Sequence, residues 1–151
     1  MTALFSDQPI FIVLLEDNPA DAELAIRALR RSRIANHIEL LQDGAEALDF
    51  IFCREAYSHR QITDHPKIIL LDLKLPKVSG LEVLRQIKSD PRTQMIPIIV
   101  MTSSAQDSDI IESYKLGVNS YIVKPVDFEQ FNKSVEQLGL YWVLMNRTPN
   151  S

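Results

Sequence analysis

The chain is 151 residues long, 46% hydrophobic and 24% charged, which is enough for one buried core and too little for two. Its formal net charge of -4 disfavours a nucleic-acid backbone as ligand, because the single basic run, Arg27 to Arg33, suits a solvated helix end. The lone Cys53 excludes an intramolecular disulfide and a multi-cysteine metal site. No stretch reaches the ~20 apolar residues of a membrane span, and Met1 to Pro9 lacks a basic start and an apolar signal core, so one soluble cytoplasmic domain is expected.

"IFIVLL", Ile10 to Leu15, is a run of branched residues that predicts a strand buried on both faces. Asn18 then suits a helix N-cap with Pro19 in the first turn, and Ala22, Ile26 and Leu29 recur at helical spacing. "HIELL" (His37 to Leu41) predicts a second strand, and "DGAEALDFIF" a helix with Ala45, Leu48 and Phe52 on one face. The polar stretch from Cys53 to Pro66 predicts the end of that helix, with Cys53 packed in it, and a loop. "KIILLD" is the third strand, "LKLPKVSG" a turn-rich connection, and "LEVLRQIKSD" a helix with Leu81, Leu84 and either Ile87 or the stem of Lys88 inward, stopped by Pro91. "IPIIVMT" is the fourth strand, "DSDIIESYKLG" a helix capped by Gly117, and "NSYIV" the fifth strand. A last helix begins near Asp127, with Phe128, Phe131, Val135, Leu138 and Trp142 on one stripe, and runs to about residue 146.

Five strand-helix units predict an α/β fold, a doubly wound flavodoxin-like parallel sheet in the order 2-1-3-4-5 with helices on both faces. In such folds sites form at the carboxyl ends of the strands, near the point where strand order reverses. The strands here end in Glu16-Asp17, Asp72, Thr102 and Lys124-Pro125. Carboxylates brought together repel one another unless one is protonated or a cation joins them. An oxygen-only set favours a hard ion such as Mg²⁺, which leaves Asp72 ionised as a nucleophile for phosphoryl transfer. Lys124 would pair with a phosphoryl oxygen and the Thr102 hydroxyl would bond another. His37, His59 and His65 lack ligand spacing, and the four glycines form no phosphate-binding loop.

"LLEDN", "ILLDLKLP-KVSG", "VMTSS" and "YIVKP" in this order resemble the receiver domains of two-component response regulators, over residues 10 to 138. The resemblance implies a histidine kinase that phosphorylates Asp72, and Mg²⁺ bound by Glu16, Asp17, Asp72 and the backbone carbonyl of Lys74. It also implies Lys124 and Thr102 as phosphoryl-binding groups, a cis peptide before Pro125, and a switch in which Thr102 moves and Tyr121 turns inward. The polar 53-66 segment and the C-terminal tail look like the single-domain regulators paired with cyanobacterial phytochromes. That likeness implies a light-regulated kinase and a homodimer through the fourth helix, fifth strand and fifth helix. Two readings of the tail stay open: Tyr141, Trp142 and Met145 fold back on the domain, or the last helix presents Tyr141, Trp142 or Leu144 to a partner, with Phe128 at the same interface.

The function expected is a stand-alone phosphorylation switch without an output domain, and not an enzyme in the turnover sense. Its rivals are weaker. An aspartate-nucleophile phosphatase wants a second acid at position 74, which is Lys. A flavin-binding protein would set Glu16 and Asp17 against the flavin phosphate, and a phosphorylation-independent module would lack a key side chain that is present here.

Overall fold

The structure, a computed structural model, describes residues 11-32, 37-103, 108-118 and 120-137. Five strands, β1 (Phe11–Leu15), β2 (His37–Leu41), β3 (Ile68–Asp72), β4 (Ile98–Thr102) and β5 (Ser120–Val123), form one parallel sheet in the order β2-β1-β3-β4-β5. Helices α1 (Pro19–Ser32), α2 (Gly44–Ile51), α3 (Gly80–Ser89), α4 (Ser108–Lys115) and α5 (Phe128–Gln137) connect or follow the strands. This is the flavodoxin-like order that the pattern of runs predicts. No helix among the described residues is long and apolar enough to cross a membrane.

The branched runs are continuous because both sheet faces are covered. Val13, Leu15, Ile69, Leu71, Ile98 and Val100 pack under α2 and α3, while Ile12, Leu14, Ile68, Leu70, Ile99, Met101 and Ile122 pack under α1 and α5. The inner strands β1, β3 and β4 thus alternate between two cores, and neither face carries a polar residue until the strand ends. At ~2 kcal/mol per fully buried aliphatic side chain, these two layers are the main stabilising term.

The helices start where their caps allow. Asn18 Oδ1 accepts from the Asp21 N–H, Asp43 Oδ1 from the Glu46 N–H, and Ser79 Oγ from the Glu82 N–H. Gly117, at φ +104°, ends the turn after α4 in a left-handed conformation.

Several local expectations are corrected. The buried stripe of α2 is Ala47, Leu48, Phe50 and Ile51; Ala45 is half-buried, and Phe52 is buried just beyond the helix end. In α3, Val83 joins Leu84 and Ile87 inside, and Leu81 is only half-buried. Both helices bury a wider face than one row because each packs on the sheet and on its neighbour. Cys53 lies outside α2, half-buried at φ +57°, with the Arg60 guanidinium 3.6 Å from its Sγ. The 53-66 segment is more ordered than a plain loop. It holds a short 3₁₀ turn, Glu55–Tyr57, whose tyrosine packs edge-on to Phe50, and Arg60 lies 3.8 Å over the Phe50 ring. Ile10, Arg33, Leu138, Tyr141, Trp142, Leu144 and Met145 lie outside the described residues.

Beyond α3 the chain is tied down by Thr93, which is fully buried and donates its hydroxyl to Ile87 O at 2.7 Å. Thr93→Val keeps the shape, removes the donor and leaves that carbonyl without it. The expected loss is ~1–2 kcal/mol, read as a lower urea midpoint at unchanged slope, with Thr93→Ser nearer wild type.

Candidate functional site

The carboxyl ends of β1, β3, β4 and β5 open on a cleft of about 260 Å³ lined by Glu16, Asp17, Asp21, Asp72, Thr102 and Lys124, among others. Glu16 is held there by the continuing ladder: its N–H donates to Leu41 O at 3.0 Å, and its side chain is 1% exposed. Its Oε2 accepts from the Asn18 N–H at 3.2 Å. Asp17, the next residue, is exposed at the rim.

Asp72 ends the central strand with its side chain 8% exposed. A carboxylate so buried needs partners, and it has two. Oδ1 accepts from the Lys74 N–H at 3.0 Å, and Oδ2 from Lys124 Nζ at 2.9 Å. Thr102, buried at the end of β4, takes the Lys124 N–H on its backbone oxygen at 2.7 Å. That bond fixes where the lysine side chain begins, and the Lys124–Pro125 peptide that follows is cis.

Lys124 is the electrostatic centre. Its Nζ lies 2.7 Å from Glu16 Oε1, 2.9 Å from Asp72 Oδ2 and 3.3 Å from Asp21 Oδ2. Burial opposes its charge, but the carboxylates of Glu16 and Asp72 outweigh that and hold it above the ordinary lysine range. Glu16 is pushed up to about 6, chiefly by burial, against the pull of Lys124 and the Asn18 N–H.

The donor set fits a hard divalent ion. Glu16, Asp17 and Asp72 each offer a carboxylate oxygen within 4.8 Å of the others, with no nitrogen or sulfur among them. Glu16 Oε1 is buried and receives no directed hydrogen bond, so its contact with Lys124 is an ion pair by distance alone. That leaves it a lone pair to give.

Of the candidate residues that the sequence points to, Glu16, Asp17, Asp72, Lys74, Thr102 and Lys124 all line this cleft. Tyr121 does not. It is half-buried, edge-on to Tyr114 with ring centres 6.2 Å apart, and lines a separate cavity of about 350 Å³ on β5 and α5. Phe128 is half-buried beneath the Arg31 guanidinium of α1, 4.6 Å from its ring centre. Asp21 joins the site without being among those candidates; its one signal in the sequence is that it falls in the first turn of the helix that follows Glu16-Asp17.

A doubly wound sheet with an acid-lined cleft at its carboxyl edge, where Asp72 is paired with Lys124, has the layout of an aspartate-centred site. The family model described as "Response regulator receiver domain" matches residues 12–136, and the chain belongs to that family. Among its relatives, "Probable methanogenesis regulatory protein FilR2" of Methanothrix harundinacea is 43% identical over 146 residues, covering 97% of this chain and 92% of its own. "Response regulator Rcp1" of Synechocystis is 37% identical over 138 residues, covering 91% of this chain and 92% of its own. A solved structure of the Mn(2+)-bound form of response regulator Rcp1 superposes with a TM-score of 0.73 at 35% identity, over 95% of this chain and all of that one. The bacteriophytochrome response regulator RtBRR gives a TM-score of 0.83 at 44% identity, over 94% of this chain and 85% of that chain. Phytochrome-associated regulators are therefore among its near relatives, and the chain is a receiver of the phosphoacceptor signalling class.

Proposed function

We propose that Asp72 accepts a phosphoryl group from a histidine kinase in a Mg²⁺-dependent reaction, and that the chain signals by conformational switching and docking rather than by turnover of a substrate. The observation that carries this is the Asp72 carboxylate, buried and held by the Lys74 N–H and Lys124 Nζ, opening on the acid cleft. Glu16, Asp17, Asp72 and the Lys74 carbonyl would hold the ion, and the chemistry an ion supplies there is neutralisation of carboxylate and phosphoryl charge. An Asp72 oxygen attacks phosphorus while the bond to the donor breaks, and the electron pair leaves with the donor. Lys124 follows the new charge from the carboxylate to a phosphoryl oxygen, and the Thr102 hydroxyl donates to another.

Phosphorylation turns the singly charged Asp72 carboxylate into a doubly charged acyl phosphate with new acceptor oxygens, and it biases a two-state face only by the contacts it changes. Tyr121 stands on the same sheet face as Thr102, one strand away: Val100 pairs with Tyr121, and Thr102 with Val123. It is the residue that would turn inward. Ile111 and Tyr114 of α4, 64% and 44% exposed, support a homodimer through α4, β5 and α5. The kinship with RtBRR and Rcp1 supports a phytochrome kinase as the phosphoryl donor, and a cytoplasmic location follows from that pairing. The phosphatase alternative is disfavoured because position 74 carries a lysine where a second acid is needed.

Incubation with Mg²⁺ and acetyl phosphate is expected to add one phosphoryl group by intact mass to the wild type and none to Asp72→Asn. Gel filtration of the adduct is expected to show the dimer. An adduct on Asp72→Asn, or none on the wild type, would sink the assignment of Asp72; an unchanged elution volume would remove the phosphorylation-controlled dimer.

A further inference from the structure

We propose that Asp21 is a positioning residue of the phosphorylation site, an electrostatic gate that shares Lys124 and slows capture of doubly charged phosphoryl donors. The inference rests on the reading of Asp72 as phosphoacceptor.

Asp21 sits in the first turn of α1, outside the three-acid cluster that suits a metal. Its side chain is 34% exposed at the cleft, with Oδ2 3.3 Å from Lys124 Nζ across 103 positions of sequence. An acid in a first turn usually serves the helix, by capping it or by facing its dipole. Capping is already done here by Asn18, whose Oδ1 accepts the Asp21 N–H at 3.0 Å. The Asp21 carboxylate is thereby left for the ammonium it reaches.

Two consequences follow from that position. Lys124 is divided among Glu16, Asp72 and Asp21, so part of its attraction for a phosphoryl oxygen is already taken. A donor with two negative charges must also pass a partly exposed carboxylate beside the cleft, which lowers its local concentration. In the transfer itself Asp21 makes and breaks no bond. The Asp72 oxygen bonds to phosphorus, the phosphorus–oxygen bond to acetate breaks, and acetate departs with the pair. Asp21 sets the field and the resting place of the ammonium.

Asparagine keeps the size and an acceptor oxygen while removing the charge. With saturating Mg²⁺ and acetyl phosphate well below saturation, Asp21→Asn is expected to form the Asp72 adduct about fivefold faster than wild type at low ionic strength. That advantage should shrink toward none at about 0.5 M salt, where charges more than a few ångströms apart are screened. Phosphoramidate, with less net negative charge, should be accelerated less, and Asp21→Glu should return the rate to near wild type. A merely structural aspartate would give none of this dependence on salt and donor charge. Asp21→Asn reacting at or below the wild-type rate would overturn the gate, as would an acceleration equal for both donors and at both salt levels. Wild type forming no adduct that Asp72→Asn abolishes would overturn the phosphoacceptor reading, and the gate with it.

Discussion

Alanine in place of Gly80 is expected to destabilise the protein by ~3 kcal/mol or more, lowering its melting temperature by roughly 10 °C. The reason is contact with backbone. A Cβ at Gly80 would land on the carbonyl oxygen of Asp72, with Leu73 Cα 2.6 Å away, and neither atom belongs to a side chain that can rotate aside. Gly80 N–H also donates to Leu73 O at 2.9 Å, so the helix start is pulled tight against the strand end. Gly44 makes the matching approach from α2: its added Cβ would strike the Val78 carbonyl, and its N–H donates to Pro76 O at 3.1 Å. The 73-79 connection is thus clamped between two helix N-termini, and it carries Lys74, whose N–H holds Asp72. Gly80→Ala should therefore also slow adduct formation. Thermal melts and intact mass read the two effects. A melting point within about 2 °C of wild type would show that the α3 start shifts freely, against the clamp.

Lys124→Met is expected to cost ~2–4 kcal/mol without added metal and to lose most of that penalty in millimolar Mg²⁺. The methionine keeps most of the stem packing, and what disappears is the cation that Glu16, Asp72 and Asp21 share. Two buried carboxylates then lack their counter-charge, which is the costly half of breaking a buried pair. A divalent ion bound by the same acids would replace that charge, so Mg²⁺ should raise the melting temperature more in the variant than in wild type. Equal stabilisation of both proteins would show that the lysine and the ion do not share one charge balance. The variant should also form little adduct, since nothing follows the phosphoryl charge.

Much of this architecture is legible in the order of the residues alone. Branched runs that end abruptly in Asp72, Thr102 and Lys124 report strands buried on two faces, and the polar ends then fall on one edge because parallel strands point the same way. The helix faces are less legible. Val83 and Ala47 are buried because α3 and α2 touch both the sheet and each other, which periodicity along a single helix does not encode. Asp21 escapes sequence reasoning because an acid in a first turn has a sufficient local reason to be there. Its contact with Lys124 joins residues 103 positions apart, and only the β1–β3–β4–β5 arrangement brings them together. The packing of Tyr57 and Arg60 on Phe50 is equally invisible, since a polar stretch gives no period that says where it folds back.

The placement of Asp72 in β3 has a mechanical consequence. β3 is laddered on both sides, to β1 and to β4, and Ile68 to Leu71 are fully buried, so it is held more firmly than an edge strand. β5 is laddered on one side only, by four residue pairs to β4. A load applied at the end of β3 therefore meets a firm support, and the singly laddered edges, β2 and β5, each lie two strands away. Under the proposed phosphorylation, the displaced arm would be β5, where Tyr121 stands, with the acidic edge as its fulcrum.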